Sequence, residues 1–127
     1  MIRFVDRGDW LLGDKPAVVL HRDGKRFWKR AGLSAANGAA AIYGDDGEVI
    51  AFLRFHVRRG PSGAHLHALG SWVHPQHRGR RHAWRLWHYA IRQLKVTSVS
   101  VCTVSPAGRR LIARVVASHF SVSFNIT

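Results

Sequence analysis

Acidic residues are scarce, cysteine is almost absent and no long apolar run occurs. Seven Asp and Glu stand against twenty Lys and Arg in 127 residues, a formal net charge of +13. That imbalance attracts polyanions: nucleic acid, a phosphorylated cofactor, an acidic membrane face or an acidic partner protein. Cys102 is the only cysteine, which rules out an intramolecular disulfide and a four-cysteine zinc site. Its neighbours, Val99 to Val104, read as a buried strand in which a cysteine acts as a small hydrophobe. No stretch approaches ~18 apolar residues, and Met1 to Asp6 opens no run of signal-peptide length, so the expectation is a soluble cytoplasmic protein without a membrane partner. What is plentiful is apolar side chain, 46% of the whole, enough for a core in one domain spanning residues 1–127.

The pattern along the chain predicts strands first and helices later. Ile2–Val5 suits a first strand, and Lys25-Arg26-Phe27-Trp28-Lys29-Arg30 suits an amphipathic helix stopped at Gly32. Gly38–Tyr43 and Glu48–Val57 flank the turn Asp45-Asp46-Gly47, which predicts a hairpin. The turn chemistry of Arg59 to Gly63 then leads into a strand over Ala64–Val73, where Gly70 can mark a bulge. After Pro75 the period changes. Ala83, Leu86, Trp87, Ala90, Ile91 and Leu94 recur at helical spacing, predicting a helix over about His82–Leu94 with Leu86, Trp84 and Trp87 turned to the core. Val96 to Val104 forms a strand, Ser105 and Pro106 open a shorter helix as N-cap and N1, and Phe120–Ile126 closes the chain as a strand. The fold class is α/β (α+β): a mixed, largely antiparallel sheet flanked by helices.

The stretch that carries chemistry is Val73-His74-Pro75-Gln76-His77-Arg78-Gly79-Arg80-Arg81-His82-Ala83-Trp84-Arg85-Leu86. It follows a strand and opens a helix, where free backbone N–H groups and the helix dipole hold anions. Gly79 lets the chain turn tightly, and Arg78, Arg80 and Arg81 add positive charge around a phosphate. There is no Gly-Lys-Ser/Thr ending, so this is not a P-loop. The pattern Val-x-Pro-x-x-Arg-Gly-x-x-x-Ala-x-x-Leu resembles the central motif of GNAT-type N-acetyltransferases, whose core is R-x-x-G-x-G/A. The likeness runs from Gly38 to Val115. It implies the GNAT-like fold and acetyl-CoA as co-substrate, its pyrophosphate held by Arg78, Gly79, Arg80, Arg81, His82 and Ala83. It further implies Trp72 or Val73 as source of an oxyanion-binding N–H, and Ser105 at the opening of the second helix. Arg81 stands where the family has its middle glycine.

Ala64-His65-Leu66-His67, one strand earlier, is similar to the arylalkylamine N-acetyltransferases, in which paired strand histidines help remove the amine proton. That likeness implies His67 as general base, with His65 two residues away on the same face. Metal binding is not expected, because no Asp or Cys completes a tetrahedral set around His65, His67 and His74 or His77. The tyrosine that the family offers to the departing thiolate is missing; Ile112 stands there, and Cys102 has no assigned role. The resemblances thus imply an acetyl-CoA-dependent N-acetyltransferase acting on a primary amine, and the excess positive charge favours an unknown acceptor that is acidic or macromolecular. The alternative is a catalytically inactive protein of the same fold whose basic surface binds nucleic acid or an acidic protein.

Overall fold

The computed structural model describes residues 1–4, 38–45, 47, 49–102 and 105–127. The helix expected over Lys25–Arg30 lies outside them, as do Val5 of the first strand and Val104 of the fifth. The described elements are β1 (Ile2–Phe4), β2 (Gly38–Tyr43), β3 (Val49–Gly60), β4 (Gly63–Val73), a 3-10 turn at Pro75–His77, α1 (His82–Gln93), β5 (Val96–Val101), α2 (Pro106–Ser118) and β6 (Ser123–Ile126). Among the described residues they build one six-stranded sheet in chain order, β1 to β6. The first four strands run antiparallel, while β5 lies parallel to both β4 and β6. Tight turns can join only antiparallel neighbours, so the parallel partners need α1 and α2 as crossovers.

Alternation divides the sheet into two faces. Ala40, Ala51, Leu53, Phe55, Leu66, Ala68 and Val99 point to the side covered by the helices. There they meet Leu86, Trp87, Ala90 and Ile91 of α1 and Ile112 and Val115 of α2, all nearly inaccessible. The Leu, Ile, Val and Phe side chains among them contribute about 1.5–3 kcal/mol each when fully buried, which is what fixes α1 against the sheet. Trp84 is only half-buried; it stacks on His88 at 5.0 Å and 12°, and its Nε1 donates to Ser118 Oγ at 3.3 Å. His119 Nδ1 bonds to the Val115 carbonyl at 2.7 Å, leaving its Nε2 to accept from His88 Nδ1 at 3.1 Å. This imidazole pair pins α1 to the end of α2. The opposite face of β2 and β3 buries Ala39, Ala41, Val49 and Phe52, with Trp72 of β4 stacked on Phe52 at 5.7 Å.

The expected bulge falls beside Gly70. Arg54 pairs with Gly70 but Phe55 with Ala68, so Leu69 is the extra residue. Gly70 takes φ 152, which a side chain would resist. The β4–β5 ladder runs from Ala64↔Val96 to His67↔Ser100 and stops there. Beyond that point the two strands diverge. The expectation for Cys102 is corrected: β5 ends at Val101, and Cys102, one residue past that end, is exposed. The second helix is also longer than expected, 13 residues, and the last strand is confined to Ser123–Ile126. Ser105 caps that helix as expected, its Oγ accepting from Gly108 N at 3.0 Å with Pro106 following. Among the described residues no helix is long and apolar enough to cross a membrane.

Candidate active site

Where β4 and β5 part, a cleft of about 400 Å³ opens on the helix side. Its walls are largely apolar: Leu53, Ala68, Trp87, Val101, Leu111 and Ile112, with Ser71, Cys102 and Ser105 adding polar edges. A second cleft of about 390 Å³ lies between the Arg78–Ala83 loop and α2, bounded by Val73, Arg78, Gly79, Arg81, His82, Ala83, Arg110 and Arg114 among others. Leu111 belongs to both, so one basic compartment adjoins one apolar compartment. Of the residues expected at a cofactor, Val73, Arg78, Gly79, Arg81, His82 and Ala83 line the basic cleft and Ser105 the apolar one. Arg80 is exposed and Trp72 packs on Phe52; neither lines these clefts.

The loop's shape follows from its residues. His74 caps the 3-10 turn, its Nδ1 accepting from Gln76 N at 3.1 Å. Arg78 Nε donates to the Val73 carbonyl at 3.2 Å, closing the loop on the end of β4. Gly79 sits at φ 80 and Arg81 at φ 62, both in the left-handed region. Arg81 thus holds the conformation for which the family pattern uses glycine, at a cost of about 1–3 kcal/mol. It is the N-cap position of α1 and makes no side-chain cap, so the first-turn N–H groups of the helix stay available to an anion.

His82, at the first position of α1, is buried. Burial, then Arg85, His77 and Arg80, hold its imidazole below the ordinary histidine range, and Arg85 donates to its Nδ1 at 3.4 Å. It is therefore neutral at pH 7 in the free protein. A pyrophosphate bound beside His82 would supply the missing countercharge and raise that pKa. Binding of a phosphorylated ligand is then coupled to proton uptake and strengthens as pH falls through the range below the ordinary histidine value. Calorimetry in buffers of differing ionisation enthalpy measures the uptake; no uptake near pH 6 would show that His82 does not meet the phosphates.

His67 is exposed at the apex of the divergence, where it borders the apolar cleft on one side and a depression on the other face of the sheet. Three hydrogen bonds tie it to its neighbours: His67 Nδ1 to Ser100 Oγ at 2.7 Å, Ser100 Oγ to His65 Nε2 at 3.0 Å, and His65 Nδ1 to Ser98 Oγ at 2.6 Å. A hydroxyl has one proton to give, so the directions are linked. With the proton of His67 on Nδ1, it donates to Ser100, Ser100 donates to His65, and His65 donates to Ser98. That order leaves His67 Nε2 as a lone pair facing the site. The sequence placed His65 and His67 on one face but did not show Ser98 and Ser100. The signal for them is the alternation of Val96-Thr97-Ser98-Val99-Ser100-Val101, read together with a parallel register no single sequence supplies. No tyrosine lines the apolar cleft among the described residues, nor do those residues offer a group of three His, Cys, Asp or Glu fit for a metal.

The acetyltransferase (GNAT) family model matches residues 6–115. The chain belongs to that family. It is therefore an acyltransferase by family, with both the cleft and the loop inside the matched span. Solved structures agree in fold. A ribosomal-protein-alanine N-acetyltransferase from Brucella melitensis biovar Abortus 2308 superposes with a TM-score of 0.61 at 17% identity, covering 91% of this chain and 90% of that one. Glucosamine-6-phosphate N-acetyltransferase from Arabidopsis thaliana gives 0.57 at 14% identity, covering 91% and 88%. An aminoglycoside N-acetyltransferase solved in complex with CoA gives 0.57 at 19% identity, covering 98% and 91%. At these identities the likeness carries the fold alone. No curated protein matches the chain.

Proposed function

We propose that this GNAT-family member is an acetyl-CoA-dependent N-acetyltransferase that acylates a primary amine, with His67 as general base. The observation that carries the reading is the position of His67 at the point where β4 and β5 diverge, open to the cleft on one side and to the opposite sheet face on the other. The two joined compartments fit the co-substrate's chemistry, an apolar wall for its arm and a basic, N–H-rich end for its phosphates. Acetyl-CoA supplies the thioester. His67 Nε2 takes a proton from the ammonium, which frees the amine to attack the thioester carbonyl; the C–S bond breaks and CoA leaves as the thiolate, which takes its proton from water. The chain through Ser100, His65 and Ser98 accommodates the His67 tautomer that leaves Nε2 free, and through it positive charge can spread towards Ser98. Calorimetry with acetyl-CoA in moderate salt is the first experiment. At a free concentration ~10 times Kd, linkage adds about 1.4 kcal/mol of stability. No heat of binding and no rise in Tm at millimolar acetyl-CoA would remove the proposal.

A second reading rests on charge. All seven acidic residues lie at or before Glu48, leaving Val49 to Thr127 without one. Exposed Arg81 at the N-cap of α1, Arg85 and Arg92 of α1, and Arg110 and Arg114 of α2 share the outer helical side with the Trp84–His88 stack. A basic face with planar rings suits a nucleic-acid strand. Oligonucleotide affinity that falls steeply with salt, together with no transfer to any amine, would decide for this reading over the first.

A further inference from the structure

The face of the sheet away from the helices carries a depression of about 540 Å³ beside His67, lined by His56, Arg58, His65, His67, Leu69 and Ser100. We propose that this depression receives the acceptor, and that the acceptor is a primary amine bearing an anionic group, phosphate or carboxylate, docked by Arg58 and His56. The proposal rests on the acetyltransferase reading above and names the substrate class of that site.

Register places the four side chains. His56 is the cross-strand partner of His67, and Arg58 that of His65, so all four stand on one face as a two-by-two patch. Two of the four are already engaged: His65 and His67 are held by Ser98 and Ser100. His56 and Arg58 are the pair that remains for a ligand. Arg59, next in sequence, points the other way and gives its NH1 to the Leu94 carbonyl at 3.2 Å. Arg58 and His67 are diagonal neighbours, about 7–8 Å apart and somewhat closer at their Cβ carbons. An acceptor whose amine lies at His67 can therefore place an anion several bonds away at the Arg58 guanidinium, which reads phosphate and carboxylate by paired N–H donors. The electrostatics select the same class. Asp45, on the β2–β3 turn, is the only acidic side chain among the described residues, and it is not part of this depression. A polycationic amine would meet a guanidinium and imidazoles with no countercharge from the described lining. An anion turns the same surface from repulsive to attractive.

The test compares matched acceptors: glucosamine 6-phosphate with glucosamine, β-alanine with its amide, and spermidine as the polycation. Initial rates give kcat/KM, and calorimetry in the presence of CoA gives acceptor Kd independently of turnover. The anionic member of at least one pair is expected to bind about 10-fold or more tighter, the effect residing in KM and Kd; which pair responds tells phosphate from carboxylate. Arg58→Gln should bring that ratio close to one, Arg58→Lys should keep part of it, and Arg59→Gln should leave it unchanged. Ratios near one in both pairs, a preference for spermidine, or a ratio that survives Arg58→Gln would each overturn the proposal. If acetyl-CoA binds and neutral amines are acetylated as well as anionic ones, this inference fails while the acetyltransferase reading stands. If acetyl-CoA does not bind, that reading fails as well and this inference falls with it.

Discussion

His67→Ala is expected to lower turnover by about 10²–10⁴-fold while leaving acetyl-CoA affinity nearly intact. The separation follows from geometry. His67 lies where β4 leaves β5, whereas the basic cleft is built by the loop after β4 and by α2. The loss should fall on kcat and on the acid limb of the pH–rate profile, which the variant should no longer show. His67 is exposed, so its removal empties no core volume and Tm should move little. That point separates a catalytic histidine from a structural one, since a buried histidine would harm the fold when cut. Ser100→Ala tests the same assignment indirectly. It removes the only described hydroxyl bonded to both imidazoles, freeing His67 to place its proton on either nitrogen. A smaller fall in kcat is expected, because part of the population then has Nε2 protonated. His67→Ala with a native Tm and unchanged turnover would end the assignment.

Much of this arrangement was legible in the sequence, and most of what was not shares a cause. Local chemistry spoke clearly: Gly47 N bonds to the Gly44 carbonyl at 3.0 Å in the expected turn between β2 and β3, and the Ser105–Pro106 start of α2 and the Leu86, Trp87, Ala90 and Ile91 stripe sit where propensity and period put them. The strand–loop–helix junction around Arg78–Ala83 was equally plain, because Pro75, Gly79 and the helical period that begins at Ala83 mark where β4 ends and α1 begins. Long-range register was not legible. Nothing in Thr97-Ser98-Val99-Ser100 announces that its two serines stand beside His65 and His67; that follows from the parallel pairing of β4 with β5. Cys102 was misjudged because the valine alternation around it does not show that β5 ends at Val101. Arg58 is the strongest instance of illegible register. From sequence it is one of two adjacent arginines before a turn, and only the β3–β4 register separates it from Arg59 and brings it beside the histidines.

Gly79→Val is expected to weaken acetyl-CoA binding by roughly 5- to 150-fold, at low and high salt alike. Gly79 holds φ 80, and a Cβ built there meets no atom within 4 Å. Crowding by neighbours therefore contributes nothing in the free protein, and the whole penalty is conformational. A β-branched residue in the left-handed region costs about 1–3 kcal/mol, and each ~1.4 kcal/mol is tenfold in affinity. The loop can escape that strain only by turning its peptide planes, which moves the N–H groups between Arg78 and His82 away from the anion. Because backbone dipoles at contact distance are screened far less than exposed side-chain charges, the ratio to wild type should persist near 1 M salt. Arg78→Ala should behave differently, losing its charge contribution as salt rises and keeping only the part owed to its bond to the Val73 carbonyl. Gly79→Asn supplies the control, since asparagine tolerates left-handed φ far better than valine, and it should retain most of the affinity. The loop is exposed and off the core, so neither substitution should unfold the protein. Equal losses for Val and Asn, or a Val effect that disappears with salt, would show that Gly79 serves by leaving room for a ligand or for charge and not by the shape of its backbone.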